Sequence, residues 1–174
     1  MSTGRIELNG KAILGVSDGN SRILADFSYP LPAPSTYRYF RLQIDANNGD
    51  ATYAGTYEFE LATEPGGATV FTGGTPSGSA WYTTYVPAKA FDGIYTIAQS
   101  WLLQITSTPL PQWVQYDLGE GNGVEPYQYT VGSLNTAARG RKDFKLLGSN
   151  NGTDWTILNT TTGASGVGSI TVVI

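Results

Sequence analysis

Alternation of apolar and polar residues is the clearest signal in this chain. Phe40, Leu42 and Ile44 alternate with Tyr39, Arg41, Gln43 and Asp45. A period of two sends the two sets to opposite faces, so this stretch reads as a half-buried strand. Past the polar loop 46–50, Tyr57, Phe59 and Leu61 alternate with Glu58 and Glu60 and predict a second. The pattern returns in Val114, Tyr116 and Leu118, in Tyr127, Tyr129 and Val131, and in Phe144 and Leu146. Trp155 and Ile157 continue it, and Ile170, Val172 and Ile174 close the chain. Roughly eight strands are expected from residue 37 onward, with no helix longer than a turn or two. Trp113 and Trp155, both in alternating strands, read as core or inter-sheet packing.

Ahead of Tyr37 the pattern is shorter. Residues 5–8 and 11–16 flank Asn9-Gly10, a dipeptide suited to the positive φ of a type I′ hairpin. Asp18-Gly19-Asn20 marks another turn before residues 23–27. Strands this short are marginal alone, so they are expected to lean on the rest of the chain or on a partner subunit. Pro30, Pro32 and Pro34 give a stiff connector. The boundary therefore falls after residue 34. Residues 1–34 form a β-hairpin extension with its connector. Residues 35–174 form an all-β, antiparallel sandwich of jelly-roll type.

Composition narrows the function. The chain of 174 residues has 22 Gly and 9 Pro, as a turn-rich β protein needs, and a net charge of −4. Without a basic face, nucleic acid is an unsuitable partner, and an anionic membrane surface is disfavoured. Cysteine and histidine are both absent. That removes disulfides, thiolate zinc sites and the commonest general base. No stretch approaches the ~20 apolar residues of a membrane span, and no signal peptide is visible in the first residues. There is no Gly-x-Ser-x-Gly elbow, and Gly73-Gly74 does not match a phosphate loop. Asp117 lies opposite an apolar strand face, and Glu120 and Glu125 flank a Gly-rich loop with no pocket to raise a pKa. A binding module is expected rather than an enzyme.

Sugars present apolar faces ringed by hydroxyls, so their sites pair exposed aromatic rings with a few polar groups. Trp81, Tyr82 and Tyr85 lie just before the turn at 88–96, and Tyr95 and Trp101 lie in or after it. Arg139 and Arg141 add fixed forks of donors. Each aromatic can instead cover the core edge, and the two arginines can belong to a solvated turn.

Residues 37–174 resemble the discoidin-like domains (coagulation factor 5/8 type C, galactose-binding-like), as found in bacteriophage tail and virion proteins. The likeness is carried by YRYFRLQIDANNGD at 37–50, YEFEL at 57–61, AKAFDG at 88–93, QWVQYDLG at 112–119 and RKDFKLLGSNNGTDW at 141–155. Here the strand pair that usually closes the domain opens it, and the final strand is expected beside the first. The resemblance implies glycan binding through rim loops. It also implies a structural calcium ion. Its ligands would be the carbonyls of Tyr57, Lys89 and Ile94, the carboxylates of Glu58 and Asp92, and the carbonyl and hydroxyl of Thr96. The other reading has Asp92 capping its own turn, with Glu58 solvated on its strand.

The expected function is a non-catalytic carbohydrate-binding module on a phage tail or virion appendage. It would be made in the host cytoplasm and would recognise bacterial surface glycans. The alternative is an assembly domain whose N-terminal segment docks to other virion subunits or to further copies of itself. Lipid head-group binding through the aromatic loop is a weaker third reading.

Overall fold

The computed structural model describes residues 3–8, 11–17, 23–30, 36–134 and 136–174. The chain divides into two compact units, Met1–Pro34 and Ser35–Ile174. In the first, β1 (Thr3–Leu8), β2 (Lys11–Ser17) and β3 (Ile23–Pro30) form an antiparallel sheet in that order. Pro30 closes β3, an outer strand, where the missing N–H costs no ladder bond. The turns expected at Asn9-Gly10 and Asp18-Gly19-Asn20, and the connector through Pro32 and Pro34, lie outside the described residues.

The second unit runs through β4 (Tyr39–Asn47), β5 (Tyr53–Thr56), β6 (Phe59–Ala62) and β7 (Thr75–Gly78). Then come β8 (Trp101–Gln104), β9 (Gln112–Asp117), β10 (Gln128–Val131), β11 (Arg141–Ser149), β12 (Thr156–Thr161) and β13 (Ile170–Val173). Two short 3-10 turns, Pro87–Ala90 and Ala137–Arg139, are the only helical pieces among the described residues. One sheet has the order β12-β11-β4-β9-β7, a second β13-β10-β6, and β5 pairs with β8. All these pairings are antiparallel.

Alternation explains how the two larger sheets meet. Phe40, Leu42 and Ile44 of β4, Val114 and Tyr116 of β9, and Phe144 and Leu146 of β11 all point inward. Phe59 and Leu61 of β6 and Tyr129 and Val131 of β10 face them across a single core. Burying each such side chain is worth ~1.5–3 kcal/mol, which makes this layer the main source of cohesion. The unit is an antiparallel β-sandwich. It has more strands than the alternation predicts, because β5, β7 and β8 are short and lack a period of two. The final strand does not lie beside the first: β13 pairs with β10, whereas β4 sits between β11 and β9.

Register gives the sandwich two ends. Arg141 of β11 pairs with Asn47, and its guanidinium donates to the Val131 carbonyl at 2.9 Å, so the Asn47 end of one sheet meets the Val131 end of the other. At the opposite end the N–H of Tyr37 donates to Val124 at 2.9 Å and the N–H of Ile174 to Tyr127, also at 2.9 Å. Both ends of this unit are thus held by residues 124–127.

The outward face of the five-stranded sheet corrects the reading of Trp113 and Trp155 as core. They clasp the Arg41 guanidinium, whose carbon lies 3.9 Å from one ring centre and 3.8 Å from the other. Burial between the rings lowers the Arg41 pKa to about 10, so it stays a cation at neutral pH. Nearby, Arg38 donates to both Asp117 carboxylate oxygens at 2.6 and 2.7 Å. That bond holds the Asp117 pKa below its ordinary value. A depressed carboxylate pKa adds stability above the unfolded pKa and loses it as the pH falls through the folded one. The pair is partly exposed, so the effect is small. Asp117→Asn is expected to cost about 0.5–1 kcal/mol at pH 7 and almost nothing near pH 2, measured by urea unfolding. An equal cost at both pH values would refute the ion pair.

Candidate functional site

The turn at 87–96 is anchored before it is shaped. Pro87 and Ala90 are buried in the 3-10 turn. Phe91 packs against Phe59, Phe71 and Tyr116, with ring centres 5.8, 5.3 and 5.0 Å apart. With Phe91 fixed in the core, Asp92 is exposed at the surface and the chain reverses at Gly93, whose φ of 75° suits glycine. The N–H of Ile94 donates both to Asp92 Oδ1, at 2.9 Å, and to Glu58 Oε1, at 3.0 Å.

Glu58 departs from its predicted place. Alternation puts it on the solvent face beside Glu60, but β6 begins only at Phe59, and the break at 57–58 turns Glu58 inward to 1% exposure. Its carbonyl accepts from the Gly132 N–H at 2.8 Å and from the Thr56 hydroxyl at 3.0 Å. Its carboxyl faces Asp92. Burial, and then the hydrogen bond to Asp92, push its pKa up to about 8, against the pull of the Ile94 and Gly93 N–H groups. The solvated-strand reading of Glu58 is therefore set aside, whereas Asp92 does cap its own turn.

The donors suit a hard cation in part. Two carboxylates meet with no cationic side chain between them, since the Lys89 ammonium donates to the Ala98 carbonyl at 2.6 Å. Among the described residues no three of His, Cys, Asp and Glu come together, so further ligands would have to be backbone, hydroxyl or amide oxygens. The carbonyls of Ile94 and Thr96 each accept one N–H, from Thr96 and Gln99 at 3.0 Å. Each keeps a second lone pair.

Beside this turn the predicted aromatic residues separate. Tyr82 stacks on Tyr85 at 6.4 Å with the planes 12° apart, and Tyr53 packs against Tyr82 at 5.3 Å. Arg139 lies 4.7 Å over Tyr53 and is ion-paired with Asp50 at 3.0 Å. The Lys89 ammonium lies 5.7 Å from the Tyr85 ring centre. Trp81 stands next to this cluster in sequence and is 52% exposed. Bonds between Tyr82 and Leu102 (2.8 Å) and between Leu102 and Tyr85 (3.3 Å) fasten the loop to β8. The turn closes through Tyr85 N–H to the Tyr82 carbonyl, with Thr83 at a φ of 50°. A β-branched residue there is strained, and strain of this kind gathers at binding loops.

Trp101 and Arg141 are corrected. Trp101 is 0% exposed in β8, its ring N–H bonded to the Ala80 carbonyl. Arg141 is 1% exposed, because bulges after it interrupt the alternation of β11. Its guanidinium is spent on the carbonyls of Val131, Gly168 and Ser165. Tyr95 is exposed but apart from the tyrosine cluster. It lies over Gly132, with Glu60 as its hydrogen-bond partner, and with Tyr57, Ser133 and Val167 it lines a cleft of about 370 Å³. Burial and Glu60 raise its pKa.

The acidic turn and the tyrosine cluster share one end of the sandwich. Glu58 bonds Gly132, next to Val131, whereas Asn47 bonds the Tyr53 carbonyl at 2.9 Å. Tyr53, Asp50 and the Lys89 ammonium were not anticipated. Tyr53 opens an unremarkable strand, and Asp50 reads only as the end of a polar loop. Compared with family models, with curated proteins and with solved structures, the chain matches none.

Glycine adopts the Thr83 backbone freely, so Thr83→Gly is expected to raise stability by about 0.5–1 kcal/mol in chemical denaturation. A loss of that size would show that the turn is unstrained.

Proposed function

We propose that this chain is a non-catalytic carbohydrate-binding module of the discoidin-like, jelly-roll kind, and that its ligand is a bacterial surface glycan. The observation that carries this is the Tyr53–Tyr82–Tyr85 cluster at one end of the sandwich, with Arg139 and Lys89 against its outer rings and exposed Trp81 next to it in sequence. Aromatic rings offer a sugar its apolar face, and Arg139 and Lys89 supply donors for hydroxyls. A setting on a phage tail or virion appendage follows from the resemblance of residues 37–174. The closeness of the unit's two ends supports the altered strand order, because a sandwich with adjoining termini can be reopened elsewhere without disturbing its core. Those ends lie opposite the aromatic loops, which leaves the loops free to face a surface.

A glycan array tests this reading. At least one bacterial glycan is expected to bind, and Trp81→Ala should weaken it about tenfold or more with an unchanged melting temperature. Tyr82→Ala should weaken it likewise while lowering the melting temperature by a few degrees, because it also removes ring packing on Tyr53 and Tyr85. Binding that survives both substitutions would sink the platform.

Calcium belongs to the same proposal. Glu58 and Asp92 would hold it with carbonyls of the 89–96 turn, and the ion would offset their mutual repulsion. A carboxyl whose pKa is raised on folding favours the folded state below its unfolded pKa and disfavours it as the pH rises through the folded value. Without the ion, stability should therefore fall between about pH 4.5 and 8. Chelator is expected to lower the melting temperature at pH 8 and scarcely at pH 5, and Glu58→Gln should abolish both the pH slope and the chelator effect. A chelator-independent melt at pH 8 argues against the ion.

A second reading, as an assembly domain, is favoured by the first unit. Described by itself, that unit is one three-stranded sheet, and a sheet of this size needs a second layer to be stable.

A further inference from the structure

The flank of the sandwich formed by β12 and β13 carries no charged side chain. From 156 to 174 there is no Asp, Glu, Lys or Arg. β12 is the outer strand of the large sheet and β13 of the smaller one. They lie on the same side, because the Tyr129 hydroxyl of β10 reaches Asn159 of β12 at 2.9 Å. Exposed apolar side chains concentrate here: Ile157 is 56% exposed, Val173 58% and Ile174 41%.

Outer strands are normally blunted by charge, proline or cover. β12 shares the uncharged flank, whereas β7 and β6 follow that rule. β7 is short and contains Pro76, and the edge of β6 is met by the Val70 N–H, which donates to the Leu61 carbonyl at 2.8 Å. β13 is as short as β7 but has neither proline nor a charged side chain, and among the described residues no strand pairs with its outer edge. Its register with β10 also says which backbone groups are free. The N–H of Ile174 bonds Tyr127, so Ile174, Val172 and Ile170 face β10, and the N–H and C=O groups of Thr171 and Val173 face away from it.

We infer that this flank is an interface between two copies of the chain, built on antiparallel pairing of β13 with its symmetry mate. A two-fold axis at Val172 sets Thr171 opposite Val173 of the second copy. These are the residues whose outward groups can exchange N–H···O bonds. Charge selects a second copy as the occupant. Each copy carries −4, and this flank is where two copies can approach without setting charge against charge. Ile174 and Val173 add exposed apolar surface at the paired strands, and Ile157 adds it on β12 of the same flank.

Light scattering on the eluting full chain tests this. The expected mass is twice 18.6 kDa. Val173→Lys should weaken association roughly 100-fold while leaving the melting temperature of the monomer unchanged. Thr171→Glu should weaken it likewise. Mixing the two variants should restore association, because the axis at Val172 sets Lys against Glu. A mass of one chain at concentrations on the order of 100 µM overturns the proposal. So does association that survives both substitutions, as an interface through β1–β3 would give. Failure of the mixture to associate overturns the strand pairing.

Discussion

A carboxylate shut away from water needs either a proton or a cation, and Glu58 is placed where it must have one of them. Carrying an unpaired charge into the interior costs several kcal/mol, and the Asp92 carboxyl bonded to it is of the same sign. Two N–H groups of the turn offset part of that cost. The arrangement persists because both halves are fixed elsewhere. Phe91 is packed among Phe59, Phe71 and Tyr116, and the Glu58 backbone is bonded to Gly132 and Thr56. The core thus brings together two groups that would otherwise separate, and the choice between proton and cation then couples the turn to its surroundings.

The same buried carboxyl bears on catalysis. A pKa near neutrality is what a general acid needs, but such a group must also reach a substrate. Glu58 is turned inward and its near oxygen accepts from Ile94. A structural role accounts for its pKa through burial and Asp92 alone. The tyrosine cluster has the complementary character. Its rings are held by β8 and by neighbouring cations rather than by the core, and the strained Thr83 keeps Trp81 and the tyrosine pair on a short, defined loop. A rigid ring surface of this kind binds with little ordering cost.

Legibility followed burial geometry. β4, β9 and β11 were readable because one face of each meets the core and the other meets water. β5, β7 and β8 were not, since YAGT, TPSG and WLLQ contain no such contrast. Trp113 illustrates a signal that was present and misweighted. It is in phase with Gln115 and Asp117 and out of phase with Val114, Tyr116 and Leu118, so alternation alone places it outside. Its hydrophobic character argued for the core, and a clasped arginine resolved the conflict. Arg141 and Glu58 lie where bulges or a strand break reset the phase, and no local pattern announces such a break. The turn at 88–93 was legible because anchor, acid and glycine follow one another directly.

What the sandwich does with its surfaces follows from where charge is spent. The broad outer face is laced with Arg38–Asp117, Lys145–Asp45 and the arginine between two tryptophans. Those groups satisfy one another and leave little to offer a partner. The loop end holds charges beside half-buried rings, an arrangement suited to a polar ligand with apolar faces. The β12–β13 flank has no charged side chain, and the backbone groups of Thr171 and Val173 face away from β10. Polar recognition at one end and apolar, self-complementary edges along one side are compatible demands, because they draw on different surfaces of the same core. Under the proposed function, pairing through β13 would join two sugar sites, and a second linked site raises avidity without new contacts.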